Sequence, residues 1–190
     1  MIERRVADYE RIDKTLPLRL DASKEERATE RADAAIVFGD FNYRVNCTVG
    51  MMKYLLDQEL FEVAMMNDQL MQLKKTGKVM GNLQEGKIEF APTYRFIPGT
   101  DNYCMETGHI PSYTDRIMHR SKEESTLRLV SYDSNNLIKL SDHRPVFAQF
   151  LCRFKADIPS NMISKDQAIT EISKKECMFG QTNSATCTII

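Results

Sequence analysis

Four short polar clusters stand beside apolar runs: "GDFN" at 39–42, "PTYR" at 92–95, "PSYTDR" at 111–116 and "SDHRP" at 141–145. Together they gather carboxylates, a histidine, an amide and guanidinium groups. That donor set suits an oxygen-liganded divalent cation acting on a phosphate ester. Loops at strand ends are also where rigid scaffolds carry their sites. Taken singly, each cluster has a plainer explanation. Asp40 and Asn42 can close a strand as an Asx turn, with Gly39 allowing a sharp backbone. An Asp142-His143 pair is more often a satisfied loop pair than a catalytic one.

The elements that must position these clusters follow from periodicity. Ile2, Val6, Tyr9 and Ile12 share one helical face, which predicts a helix over 2–16 closed by Pro17. Residues 21–33 carry charge without an apolar face and read as a solvated helix or loop. "AAIVFGD" is a strand. "VGMMKYLLDQE" is a helix with Met51, Leu55 and Leu56 as its stripe. A further helix over "NDQLMQLKKTGK" takes Asn67 or Asp68 as N-cap and stops at Gly77. The methionines around it read as core filler. "KIEFAPTYRF" reads as strand, turn, strand. "PSYTDRIMHR" is a loop entering a strand, and "LRLVSYDS" is another strand. "LSDHRPVFAQFLCRF" starts as a polar loop and ends as a strand, with Val146, Ala148, Phe150 and Cys152 alternating. "SKDQAITEISKKE" could form a short amphipathic helix, and "GQTNSAT" is linker-like. The mixture is α/β or α+β.

Composition narrows the classes. The net charge of -1 lacks the basic excess of a phosphate-gripping nucleic-acid binder. Five scattered cysteines, an odd number without a CxxC pair, argue against a disulfide framework or zinc site and for free thiols. The charged opening "MIERRVADYERIDK" lacks a signal-peptide apolar core. The expected location is a reducing, cytosol-facing compartment, not the secretory route.

The four ordered motifs resemble those of the inositol polyphosphate 5-phosphatases, within the DNase I/exonuclease III-like phosphoesterases. They are Phe38-Gly39-Asp40-Phe41-Asn42-Tyr43-Arg44, Ala91-Pro92-Thr93-Tyr94-Arg95, Pro111-Ser112-Tyr113-Thr114-Asp115-Arg116-Ile117 and Ser141-Asp142-His143-Arg144-Pro145-Val146. The resemblance implies a β-sandwich with flanking helices and a Mg²⁺-dependent phosphatase acting on the 5-phosphate of membrane phosphoinositides. Catalysis would fall to Asp40, which orients and deprotonates water, Asn42 on a phosphate oxygen, His143 on the scissile phosphate and Asp115 behind it. Asp142 would serve the metal, and Tyr94 and Arg95 would read the 4-phosphate. Arg44 and Arg116 could bind phosphate or form structural ion pairs.

Two departures qualify the match. Thr107-Gly108-His109-Ile110 stands where the family carries bases for the 4-phosphate. The family's first half, with an Asn, a metal-ligating Glu and a His motif, has no counterpart upstream of "ERRVADYERI". Residues 1–152 therefore read as the C-terminal half of a DNase I-like catalytic domain, poorly stable and inactive or nearly so alone, and 153–190 as a tail. The alternative is a catalytically inactive, lipid-anchored phosphoinositide-binding or interaction fragment. A nuclease of the same superfamily is disfavoured by charge and motifs.

The tail ends in Cys187-Thr188-Ile189-Ile190, a C-a-a-X pattern. Together with Ser-Tyr-Thr-Asp-Arg, where many relatives have Ser-Trp-Cys-Asp-Arg, it is similar to a prenylated, cilium-associated subgroup. Lipidation at Cys187 implies a prenyltransferase, a prenyl-binding carrier and peripheral membrane association, with cilium or Golgi as addresses. One prenyl chain anchors only marginally. Lys174 and Lys175 offer a thin basic patch. Cys177 is a palmitoylation candidate or, the favoured reading, a simple tail thiol.

Overall fold

A computed structural model describes residues 2–17, 27–105 and 108–153, together with the backbone of 184–189. Two three-stranded sheets form its frame. One has the order β1-β3-β2, from β1 (Ala34–Asp40), β3 (Asp115–Ser121) and β2 (Gln84–Glu85). The other has the order β4-β5-β6, from β4 (Leu127–Ser134), β5 (Val146–Arg153) and β6 (Ser184–Ile189). Every strand pairing is antiparallel.

Strand β3 is the hub because both of its faces are buried. Ile117 enters the core shared with Leu127, Val146, Ala148 and Phe150 of the second sheet. Its neighbour Met118 enters the opposite cluster, with Tyr9, Tyr43, Leu70 and Met80. Side chains alternate across a strand, so consecutive apolar residues feed two cores. Val146, Ala148 and Phe150 are buried at the spacing expected of a one-faced strand.

Helix α1 (Ile2–Thr15) ends two residues before Pro17, as its periodicity predicts. Its buried Asp13 accepts from the Thr29 amide (2.9 Å) and hydroxyl (3.0 Å). That contact draws α2 (Ala28–Arg31) inward and buries Ala28 and Thr29, so this end of the charged stretch is not a solvated face. Residues 18–26 lie outside the described residues.

Helices α3 (Val49–Asp57) and α5 (Gln69–Lys75) begin at side-chain caps, Thr48 accepting from the Met51 amide and Asp68 from the Met71 amide. The buried stripe of α3 is Met52 and Leu55, one step round from the expected one, leaving Met51 exposed. Between them lies a helix not foreseen, α4 (Phe61–Met66). Methionines 52, 65 and 80 fill cores as expected, whereas Met51 and Met66 face solvent.

The segment 87–96 forms no named strand, contrary to expectation, and holds only isolated bridges at Tyr94 and Phe96. Ile88 and Phe90 are nevertheless both buried. Just before them Gly86 passes close to β4. A Cβ there would lie 2.6 Å from Leu129 Cδ2 and 2.9 Å from Tyr132 Cβ. We expect Gly86→Ala to destabilise the fold by about 1–3 kcal/mol through overpacking, read as a lowered urea midpoint.

"SATCTI", expected to lie in a flexible tail, forms β6, whose backbone pairs Phe150 with Cys187. The amphipathic helix expected over 164–176, with Lys174, Lys175 and Cys177, lies outside the described residues. Of the described cysteines, 47 and 104 are free thiols.

Candidate active site

The antiparallel register of β1 and β3 sets Asp40 directly opposite Asp115, at the end of the strand pair. Just beyond, the Phe41 amide donates to the Thr114 carbonyl (2.8 Å). The chain then turns, with Asn42 at φ 58 and its amide donating to Asp40 Oδ1 (2.8 Å). This is the Asx turn that the sequence allows, and it aims both polar residues outward. Asn42 Oδ1 accepts from Arg44 Nε (3.0 Å) and Nη2 (2.5 Å). Its NH₂ group remains as the donor available to a phosphate oxygen.

His143 is delivered from the loop before β5. The Asp142 carbonyl accepts from the Phe96 amide (2.9 Å), and the Arg144 amide donates to the Thr93 carbonyl (2.8 Å). These bonds tie the "SDHRP" and "PTYR" segments together. The ring Nδ1 of His143 lies 2.7 Å from Asp115 Oδ2. The buried Thr114 hydroxyl donates to the same oxygen (2.8 Å) and sits 3.4 Å from Nδ1. The sequence marks Thr114 only as a variant in its motif. Its adjacency to Asp115 was the available signal.

Tyr94 packs against the His143 ring at 4.5 Å between centroids, and Arg44 covers the Tyr94 ring at 4.4 Å. Arg44 thus uses its charge inside the cluster, on Asn42 and Tyr94. Arg95 Nε donates to Asp142 Oδ2 (3.1 Å).

The hydrogen bond to Asp115 raises the His143 pKa above its ordinary 6.5, against the opposing effect of burial; the charges of Asp115, Asp40 and Asp142 add to the rise. A raised histidine pKa favours the protonated ring in the folded state. The stabilisation is therefore complete below the ordinary value and fades as pH rises through the folded one. We expect Asp115→Asn to bring the His143 pKa down, read from the ring Cε1 proton in an NMR titration.

Of the nine motif residues singled out for binding or catalysis, Arg116 alone is turned away. Its side chain is 0% exposed and held by Glu85 at 2.7 and 2.8 Å and by Asp68 at 2.9 Å. Of the two roles the sequence leaves open, the ion pair is the one present. Burial works to discharge Arg116, but Glu85 and Asp68 outweigh it and hold its pKa above the ordinary value. Thr107 lies outside the described residues, His109 is half-buried, and Cys187 stands on β6, apart from these motifs in the chain.

Among the described residues, no group of three or more His, Cys, Asp and Glu side chains is placed to hold a metal ion. Asp142, the expected ligand, is paired with Arg95. The described donors do not by themselves make up a cation site.

The cleft beside His143, lined by Phe38, Asp115, Ile138 and Leu140, encloses about 260 Å³. A larger groove of about 970 Å³ runs between α1 and β1 and reaches Asp40 and Asn42 at one end. Among the described residues β1 is an edge strand, and this groove runs along its free side.

Residues 1–149 match the profile of the Endonuclease/Exonuclease/phosphatase family 2. The chain belongs to this family. Phosphatidylinositol polyphosphate 5-phosphatase type IV of Rattus norvegicus is 31% identical over 212 residues, covering 99% of this chain and 33% of that protein. The solved inositol polyphosphate 5-phosphatase domain of synaptojanin, in complex with inositol (1,4)-bisphosphate and calcium, superposes with a TM-score of 0.67 at 35% identity. That match covers 77% of this chain and 41% of the other. Cimex nitrophorin, solved as a ferrous NO complex, superposes with a TM-score of 0.61 at 33% identity, covering 74% of this chain and 45% of the other. The chain thus spans about a third of the phosphatase and less than half of either solved chain. A phosphatase domain and a nitrophorin thus both share the fold of this chain, so function must be argued from the site. Among the described residues, no helix is long and apolar enough to cross a membrane.

Proposed function

We propose that residues 1–152 form the C-terminal part of a phosphoinositide 5-phosphatase domain, active on phosphatidylinositol 4,5-bisphosphate and 3,4,5-trisphosphate once the remainder of the domain is present. The observation that carries this reading is the His143–Asp115 contact of 2.7 Å, with Asp40 opposite Asp115 in the strand register. Asp115 fixes the imidazole, which meets the scissile phosphate. Asp40 orients and deprotonates the attacking water, and the Asn42 amide donates to a phosphate oxygen. Tyr94 and Arg95 face the 4-phosphate, and Arg44 holds Asn42 and Tyr94 in place. Phosphoryl transfer mainly needs such positioning and charge stabilisation.

The groove along the free side of β1 supports the view that further strands belong there. Mg²⁺ dependence is proposed for the completed domain, with Asp142 as one ligand and others supplied from outside this chain. Tail residues 153–190 are proposed to carry a prenyl group on Cys187, attached by a prenyltransferase and handled by a prenyl-binding carrier. They would hold the enzyme at the cytoplasmic face of membranes of the cilium or Golgi.

The test is phosphate release with Mg²⁺ from vesicles containing phosphatidylinositol 4,5-bisphosphate. It compares this chain alone with this chain joined to the remaining part of a family domain. Turnover only when joined supports the reading. A second reading, an inactive lipid-anchored fragment, is favoured by the lack of a three-ligand cluster among the described residues. It survives if neither form turns over.

A further inference from the structure

A lipid-acceptor tail needs an end that an enzyme can take hold of, and β6 is not a free end. Its backbone pairs antiparallel with β5, from Ser184 opposite Arg153 to Ile189 opposite Ala148. Three of the four residues of the C-a-a-X pattern lie inside this ladder. Cys187 stands opposite Phe150, Thr188 opposite Gln149 and Ile189 opposite Ala148. An enzyme that reads the pattern as a unit must surround those same residues. A cleft that encloses them leaves no room for a strand running about 4.8 Å alongside.

The ladder is also one that can open. In the order β4-β5-β6, β6 is an edge strand with one neighbour to leave, whereas β5 stays paired with β4. Val146, Ala148 and Phe150 of β5 are buried with Ile117 and Leu127, on strands that release of β6 leaves in place. Residues 154–183 stand between the two paired strands in the chain. Closing a connection of that length costs more conformational entropy than closing a tight hairpin, which offsets part of the ladder's stability.

We propose that pairing of β6 with β5 masks Cys187, and that lipidation waits on release of this strand. The sheet then acts as a gate between an unmodified chain and an anchored one. The gate rests on the reading of Cys187 as a prenyl acceptor and is independent of phosphatase activity. In the released state the Cys187 sulfur forms a bond to C1 of a prenyl diphosphate. The bond from that carbon to the diphosphate oxygen breaks, diphosphate departs with the electron pair, and the thiol proton passes to solvent. In the paired state the acceptor is withheld, so the apparent rate is scaled down by the released fraction.

The test compares prenyl transfer to the full 190-residue chain with transfer to the free peptide 181–190. Purified farnesyltransferase and geranylgeranyltransferase are used, each with its labelled prenyl diphosphate. A second chain and a second peptide carry Ala185→Pro and Thr186→Pro. Strand residues alternate in direction, so one of the two amides removed faces β5, and the C-a-a-X residues are untouched. Below KM the parent chain should be modified at least about tenfold more slowly than its peptide, the factor for one or two net backbone hydrogen bonds. The proline pair should raise the chain to the rate of its own peptide. Hydrogen exchange read by mass spectrometry should show the 184–189 amides protected in the parent chain and unprotected in the proline chain, with β1 and β3 unchanged. Equal rates for the parent chain and its peptide overturn the gate and leave the lipidation reading standing. A slow chain that the proline pair does not accelerate also overturns it, since the obstacle then lies outside the ladder. A parent peptide that accepts neither prenyl group overturns the reading of Cys187 as a lipid site, and the gate falls with it.

Discussion

Arg116→Ala should cost about 3–5 kcal/mol of folding stability, the range for removing one partner of a buried ion pair. The arginine is wholly buried and satisfies Glu85 through both oxygens and Asp68 through one. Asp68 is itself fully buried and caps α5 through the Met71 amide. Without the guanidinium, the buried Asp68 and the part-buried Glu85 lose their shared cation between α5, β2 and β3, keeping the Met71 amide and the Tyr132 hydroxyl as donors. Burial already pushes the Asp68 pKa up, and Arg116 is the main influence opposing it. In the variant it should rise further. A carboxylate whose folded pKa lies above its unfolded one favours folding at low pH and opposes it as pH rises past the ordinary carboxylate range. The variant's deficit should therefore be smallest in acid and largest near neutrality. Urea midpoints at both conditions measure this. Arg116→Lys should recover only part of the loss, because an ammonium cannot reproduce the two-pronged contact with Glu85. A loss below about 1 kcal/mol would mean that the carboxylates find other partners or water.

In the completed domain, His143→Ala or Asp40→Ala should reduce phosphate release by at least about 10²–10⁴-fold, the usual weight of a positioned proton-transfer group. Asp40 is exposed and His143 half-buried outside the two cores, so thermal unfolding should move little. Asp115→Asn should lose less, because it keeps a side chain behind the imidazole while removing its charge. Separate determination of kcat and KM shows whether the loss falls on turnover. Wild-type-like release from either alanine variant would sink the assigned roles.

How far the site was legible depended on the physical signal each residue leaves. β4 and the one-faced burial of β5 were readable because apolar and polar residues alternate there, and "AAIVFGD" because it is a compact apolar run. The same alternation misled at Ile88 and Phe90. It reported burial correctly, but the backbone there makes no regular ladder. Periodicity records which side chains are hidden, not what the main chain bonds to. Helix α4 was missed because six residues are too few to show a helical period, and Glu59 breaks the pattern with a φ of 54. The role of Arg116 was undecidable in one dimension. Its partners, Asp68 and Glu85, lie 48 and 31 residues away, and no local spacing announces them. β6 was unforeseen for the opposite reason, since small polar residues resemble a linker until an edge strand is there to receive them.

The register that sets Asp40 against Asp115 also bears on how this gene can change length. Side-chain direction in a strand has period two, so removing one residue from 34–40 or 115–121 would turn every later side chain to the other face. The carboxylate would leave the surface, and Ile117 and Met118 would exchange cores. Two-residue changes would keep the faces but shift Asp40 off Asp115. Length variation in functional homologues should therefore concentrate in connections such as 97–102 and be absent from these two strands.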